Sequence, residues 1–109
     1  MYFVYVLQSE LDKSWYIGFS TAIDQRVDEH NSGKNHSTKF RRPWKLIYYE
    51  AYLHKLDALG RERFLKSGSG HRFLRKQMVH YFTEQSIQES THTLPYQPYV
   101  SRTNEDNRF

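Results

Sequence analysis

Cysteine is absent from this 109-residue sequence, which excludes disulfides and thiolate-bound metals and suits a reducing compartment. No apolar run approaches the roughly 20 residues that a membrane-spanning helix needs. The N-terminus lacks the basic-then-apolar layout of a secretory signal. A cytoplasmic protein with no membrane partner is the expectation. Phosphate-loop and dinucleotide glycine fingerprints are missing, as are an HExxH metal motif and a GxSxG nucleophile elbow. There are no internal repeats, and His36, His54, His71, His80 and His92 show no metal-ligand spacing.

What is present is aromatic and basic. Aromatics make up 17 % of residues against 38 % hydrophobic overall, so tyrosine and phenylalanine must supply much of the core of what the length suggests is one domain. The net charge is +4, unevenly spread. Residues 1–82 carry a balance of +6, whereas 83–109 carry −2. Lys34, Lys39, Arg41, Arg42 and Lys45 form one cluster with no acid among them. Arg61, Arg63, Lys66, Arg72, Arg75 and Lys76 form another, interrupted only by Glu62. A solvated surface would explain either cluster; two together point to a phosphate-backbone partner.

Two aromatic and β-branched runs, Tyr2–Leu7 and Trp15–Phe19, bracket the polar segment Ser9–Ser14 and read as a hairpin. That pairing places Tyr5 and Tyr16 close together across the ladder. Thr21, followed three residues later by Asp24, resembles a capping box, so a helix is expected from about Ala22 to Gly33. Arg26 and His30 lie one turn apart on it. Lys34–Arg42 reads as a basic loop, and Trp44–Tyr52 as a third strand paired with the hairpin. A helix is expected over Lys55–Lys66 with Leu56, Leu59 and Leu65 making apolar contact, weakened at Gly60. After the Ser67–Gly70 break, Arg72–Phe82 reads as a shorter helix with Phe73, Leu74, Met78 and Tyr81 facing the core. From Thr83 onward the chain is polar and acidic on balance, with Pro95 and Pro98, and reads as an irregular tail in which Leu94, Tyr96, Tyr99 and Val100 are docking candidates. The domain division is then 1–82 and 83–109.

In this β-β-α-β-α-α order the residues resemble the GIY-YIG nuclease superfamily, specifically its small single-domain bacterial proteins. Phe3-Val4-Tyr5 stands as a degenerate first motif in which only the tyrosine is kept, and Tyr16-Ile17-Gly18 is the second motif intact. The segment Arg26–Gly33 resembles the family's helix signature, Arg42–Glu50 its third strand, and Ala58–Lys66 the helix that carries a metal-binding glutamate. The resemblance covers roughly residues 2–76. It implies a compact α/β (α+β) fold, a three-stranded antiparallel sheet flanked by helices. The family's late polar residue, often asparagine, has no clear counterpart; Ser67 or Ser69 stands nearest.

The resemblance further implies a metal-dependent endonuclease that hydrolyses DNA phosphodiesters in repair or processing, structure-directed or weakly sequence-specific. Tyr5, Tyr16, Arg26, His30 and Glu62 would be catalytic, with Glu62 binding one Mg²⁺ or Mn²⁺. A hard cation suits an oxygen ligand plus phosphate and water, and a guanidinium can fork onto phosphate oxygens. One tyrosine would act as base and the other as its support, the first assignment going to Tyr5. His30 would hydrogen-bond the pair or shuttle a proton. Lys34, His36, Thr38, Lys39, Arg41, Arg42, Arg63 and Lys66 are the candidates for nucleic-acid contact, and Gly18 for close backbone approach. Taken singly, these residues also read as core aromatics, a solvated helix face and surface charge. A nucleic-acid-binding module with little or no catalysis is therefore the rival reading, and the tail 83–109 is a candidate contact for a protein partner.

Overall fold

The structure, a computed structural model, describes residues 1–93, with side chains through Glu89. The elements follow as β1 (Tyr2–Ser9), β2 (Trp15–Ser20), α1 (Ile23–Ser32), β3 (Trp44–Tyr52), α2 (Lys55–Leu65), α3 (Gly68–Gln77) and α4 (Val79–Thr93). A short 3₁₀ turn at Lys39–Arg41 precedes β3. This is the expected β-β-α-β-α-α order followed by one more helix. Residue contacts divide the chain into a unit ending at Leu74, which holds the sheet, and a second that begins at Arg75.

The sheet is antiparallel throughout, in the order β2-β1-β3. Central β1 is buried from Val4 to Ser9, and its period of two divides it between two faces. Tyr5 and Leu7 pack with Trp44, joined by Tyr16, Leu46 and, from α1, Ile23 and Val27. Val4 and Val6 point the other way and are fully buried. Helix α2 contacts all three strands and buries Ala58 and Leu65, and α3 buries Leu74. Each leucine or valine removed from water in this way is worth about 1.5–3 kcal/mol. Leu56 was expected to share in this core, but it lies 68 % exposed; small Ala58 takes the contact position.

Helix ends are set by different residues from those the pattern suggests. At α1, Thr21 forms no capping box; Ser20 Oγ accepts the Ala22 N–H instead. Gly33 ends α1 in the left-handed conformation, φ +86°, as its sequence position implies. Asn31 clamps α1 to β3, its amide donating to the Trp44 carbonyl while the Trp44 N–H donates to Asn31 Oδ1 at 2.6 Å. Between α2 and α3 the break occupies only two residues, Lys66 and Ser67. Ser67 Oγ accepts the Gly70 N–H, so α3 starts at Gly68 rather than at Arg72. That helix stops at Gln77, and Met78 separates it from α4.

The irregular tail expected from Thr83 is not seen over residues 83–93, which are helical. Low apolar content masks this helix, but no glycine or proline interrupts it before Pro95, and Gln85 donates to the Tyr81 hydroxyl one turn away. Leu94, Tyr96, Tyr99 and Val100 lie outside the described residues.

A polar cluster fastens α2 to β3. The Glu50 carboxylate accepts hydrogen bonds from the Tyr48 and Tyr52 hydroxyls, its neighbours two positions away on one face of the strand. Arg61 adds a two-pronged pair at 2.9 and 3.0 Å and lies over the rings of Phe64 and Phe73. Burial alone would raise the Glu50 carboxyl, but these hydrogen bonds outweigh it and hold it below its ordinary range. Burial and Glu50 push both phenols up to about 12. A depressed carboxyl stabilises the fold above its unfolded pKa of about 4.3 and loses that contribution as pH falls. The raised phenols lose theirs as pH climbs from about 10 towards 12. Glu50→Ala strands three donors and is expected to cost about 2 kcal/mol. Thermal melts across pH should show a lower midpoint at neutrality and weaker falls at both extremes than in the wild type.

Candidate active site

The β1–β2 register pairs Tyr5 with Gly18 and Leu7 with Tyr16, so the two tyrosines are diagonal neighbours on one face rather than directly opposed. Their ring centroids are 6.3 Å apart. Gly18 makes room for this arrangement. A Cβ there would fall 2.5 Å from the Tyr5 hydroxyl oxygen and 3.0 Å from Tyr16, so any side chain would push the phenol aside. Tyr5 is only 1 % exposed, while Tyr16 is half-buried.

His30 is fully buried behind the pair, its ring centroid 4.6 Å from that of Tyr16. One nitrogen, Nε2, shares a hydrogen bond with the Tyr5 hydroxyl at 3.2 Å; Nδ1 shares one with Thr38 Oγ1 at 2.9 Å. Burial, then the positive charge of Arg26, lowers the His30 pKa, so the imidazole is neutral at pH 7 and one of its nitrogens must accept. Burial likewise drives the Tyr5 phenol well above its ordinary range. Tyr16 and the carboxylates of Glu62 and Glu29 push it the same way, and Arg26 opposes them. Tyr5 is therefore a neutral phenol, and both Arg26 and Glu62 lie within electrostatic reach of it.

Arg26, its side chain 43 % exposed, pairs with Glu29 at 3.4 Å. It borders an open pocket of about 140 Å³ lined with Ser20, Thr21, Ala22, Gln25 and Glu29. Glu62 is 20 % exposed, and Lys66 Nζ approaches its carboxylate to 3.3 Å. Among the described residues no group of three or more His, Cys, Asp or Glu side chains gathers at one point. A single partly exposed carboxylate fits a hard divalent cation that takes its other ligands from water and phosphate, the habit of Mg²⁺. It would not hold a softer metal that needs a protein cage.

Several of the expected nucleic-acid contacts have other duties. Thr38 is fully buried as the partner of His30, so it positions the imidazole and does not touch a ligand from solvent. Arg41 lies over the Trp44 ring and donates to Ser14 Oγ at 2.9 Å. Arg42 donates to the Lys39 carbonyl at 2.6 Å, its guanidinium close to Gly33. These three build the loop. Lys34, His36, Arg63 and Lys66 are exposed, and Lys39 is partly so. Ser67 and Ser69 serve the start of α3, Ser67 through its cap and Ser69 by accepting from Arg72.

Tyr5, Tyr16 and His30 thus pack together on one face of a small antiparallel sheet, with Arg26 and Glu62 in electrostatic reach of Tyr5. Residues 1–76 match the model of the GIY-YIG catalytic domain, and the chain belongs to that nuclease family. Among its relatives are UPF0213 proteins. It is 42 % identical over 67 residues to UPF0213 protein SERP0126 of Staphylococcus epidermidis, spanning 61 % of this chain and 80 % of that one. To UPF0213 protein YsiG of Lactococcus lactis it is 37 % identical over 89 residues, 81 % of each chain. The solution NMR structure of UPF0213 protein BH0048 from Bacillus halodurans is 33 % identical, with a TM-score of 0.46 over 72 % of this chain and 86 % of that one. GIY-YIG nucleases in general use divalent metal ions. No helix among the described residues is long and apolar enough to cross a membrane.

Proposed function

We propose that this protein is a divalent-metal-dependent endonuclease that hydrolyses DNA phosphodiesters, reading strand geometry more than base sequence. The observation that carries this reading is the buried Tyr5–His30–Thr38 chain set directly behind a partly exposed Tyr16, with Arg26 and Glu62 in electrostatic reach of Tyr5. Side chains arranged only for packing would not need that chain.

The two tyrosines take different parts. Tyr16 is the phenol a water molecule can reach; acting in its phenolate form, it orients the attacking water and takes its proton, ending as the neutral phenol. Tyr5, buried and held neutral, supports Tyr16 and passes its own hydrogen bond to His30. Thr38 can donate to the Asn35 carbonyl at 3.5 Å, which leaves its oxygen to accept from His30 Nδ1 and Nε2 to accept from Tyr5. As the water oxygen bonds to phosphorus, the opposite P–O bond breaks. Arg26 holds the phosphate oxygens that gain charge. A cation bound at Glu62 would supply further charge stabilisation for the phosphate and the departing oxygen. The exposed Lys34, His36 and Arg63 and the partly exposed Lys39 hold the backbone on either side.

Tyr16→Phe should lower the cleavage rate about 10²-fold, the lower end for a general base, and Tyr5→Phe less. Protonating His30 breaks its acceptor role towards Tyr5, and its pKa lies below the ordinary value of about 6.5. Activity should therefore hold through neutrality and fall only below that pH, a limb that His30→Gln removes.

A second reading is favoured by one contact. Lys66 already neutralises Glu62 at 3.3 Å, as expected of a binding module that does not turn over. The decisive experiment incubates the pure chain with single-stranded, flapped, branched and duplex DNA, with Mg²⁺ or Mn²⁺ and with EDTA. Cleavage that EDTA stops supports the nuclease. Salt-sensitive binding without cleavage in either metal supports the module.

A further inference from the structure

We infer that Phe40 is a stacking platform for an unpaired base, so that the strand held beside Tyr16 is single-stranded at that point. This rests on the nuclease reading above and names its substrate. At 75 % exposed, Phe40 shows more of its ring than any other phenylalanine, tyrosine or tryptophan among the described residues. Aliphatic residues are as exposed elsewhere, Leu11, Leu53 and Leu56 among them. Phe40 differs in offering a flat π face inside a stretch, Lys34–Lys45, that contains no acid.

The ring is not displayed by a slack loop. It sits in the middle of the Lys39–Arg41 turn, whose flanks are pinned to the core. Before it, the buried Thr38 is bonded to His30, and the Thr38 carbonyl accepts the Trp44 indole N–H at 3.0 Å. After it, the Arg41 carbonyl accepts from buried Ser9 Oγ at 2.7 Å. A backbone tied down on both sides of an outward aromatic presents that ring in a fixed place, which lowers the entropy lost when something stacks on it.

The surroundings say what would stack. Lys39 Nζ lies 4.9 Å from the ring centroid, and His36 meets it edge-on at 6.4 Å. Lys34 lies on the same basic loop. An apolar protein partner would find cations around the ring; a nucleotide finds a face for its base and charge for its phosphate, the arrangement that proteins use to hold single strands. In a duplex both faces of each base are already stacked, so only an unpaired or terminal base can use the ring. Thr38 ties the Phe40 turn to His30, whose ring lies 4.6 Å from that of Tyr16, so the platform is fixed to the same framework as the tyrosine pair.

The test is equilibrium binding of the full chain, in EDTA at fixed salt, to a single-stranded oligonucleotide carrying 2-aminopurine and to a duplex of the same length. Phe40→Ala, Phe40→Leu and Phe40→Trp are compared with the wild type. Removing one base stack should weaken single-strand binding about 10-fold in both the alanine and leucine variants. Tryptophan should restore it, duplex affinity should change less than about twofold, and the quenching of 2-aminopurine on binding should vanish with alanine. Wild-type affinity in Phe40→Ala, an equal loss for both DNA forms, or full rescue by leucine would overturn the inference. Stacking without cleavage would leave it standing while sinking the nuclease reading. Cleavage that Phe40→Ala leaves unchanged in both kcat and KM would do the reverse.

Discussion

Glu62→Gln is expected to cut the rate of DNA cleavage about 10³-fold while leaving DNA affinity in EDTA within a few-fold. The change keeps the side chain's size but removes the charge, and a neutral amide is a poor ligand for a hard divalent ion. Metal stabilisation of a phosphoryl-transfer transition state is worth several kcal/mol, and about 4 kcal/mol corresponds to three decades in rate. The fold should survive. The ion pair lost is an i,i+4 contact to a half-exposed Lys66, of a kind that contributes only about 0.3–0.5 kcal/mol. Lys66→Ala gives the opposite signature, because it frees the carboxylate and should lower the metal concentration needed for half-maximal rate. Single-turnover cleavage against metal concentration measures both. A glutamine variant as fast as the wild type would show the observed cleavage to be a contaminant's.

The largest effect on stability is expected from Gly70→Ala, about 3 kcal/mol. A Cβ at this position would land on the Phe64 carbonyl oxygen and within 2.5 Å of the Leu65 Cα. Both obstacles are backbone, so no rotamer change relieves them, and overpacking of this kind ordinarily costs 1–3 kcal/mol. Relief requires the first turn of α3 to lift from the end of α2, which would uncover Leu65 and Leu74, now fully buried. Urea unfolding by circular dichroism would read the loss as a drop in midpoint. Two neighbours calibrate it. Ser67→Ala removes only the cap of α3 and should cost about 1 kcal/mol. Gly60→Ala, in open space on α2, should be neutral or stabilising by up to about 1 kcal/mol. Equal midpoints for Gly70→Ala and wild type would mean that the two helices do not meet as described.

The strands were readable because aromatic and β-branched residues at period two leave few alternatives, and Tyr5, Tyr16 and Gly18 fell on the face and at the spacing their motifs implied. Local chemistry was read less well. Thr21 looked like a cap because it precedes Asp24 by three residues, but the turn out of β2 places Ser20 Oγ at the helix start instead. Thr38 and Arg41 looked like ligands for DNA because they lie in a basic loop. The fold turns the first under His30 and lays the second across Trp44. Helix α4 was hidden by its polar composition, since periodicity reports burial and says little about helices rich in polar residues.

Residue order and type were enough to establish the three-stranded antiparallel class, the absence of thiol chemistry and the basic balance of residues 1–82, and to single out Tyr5, Tyr16, Arg26, His30 and Glu62 as candidates. The different surroundings of those candidates came only from three-dimensional packing. Two tyrosines are chemically identical in a sequence. Burial against His30 keeps Tyr5 a neutral phenol, whereas Tyr16 stays partly exposed. The same holds for Arg61 and Glu62, adjacent in the chain: a helical turn of about 100° sends the first to Glu50 on β3 and leaves the second paired with Lys66, in electrostatic reach of Tyr5. Solvent exposure and long-range contact set those roles, and neither is a property of a residue and its chain neighbours.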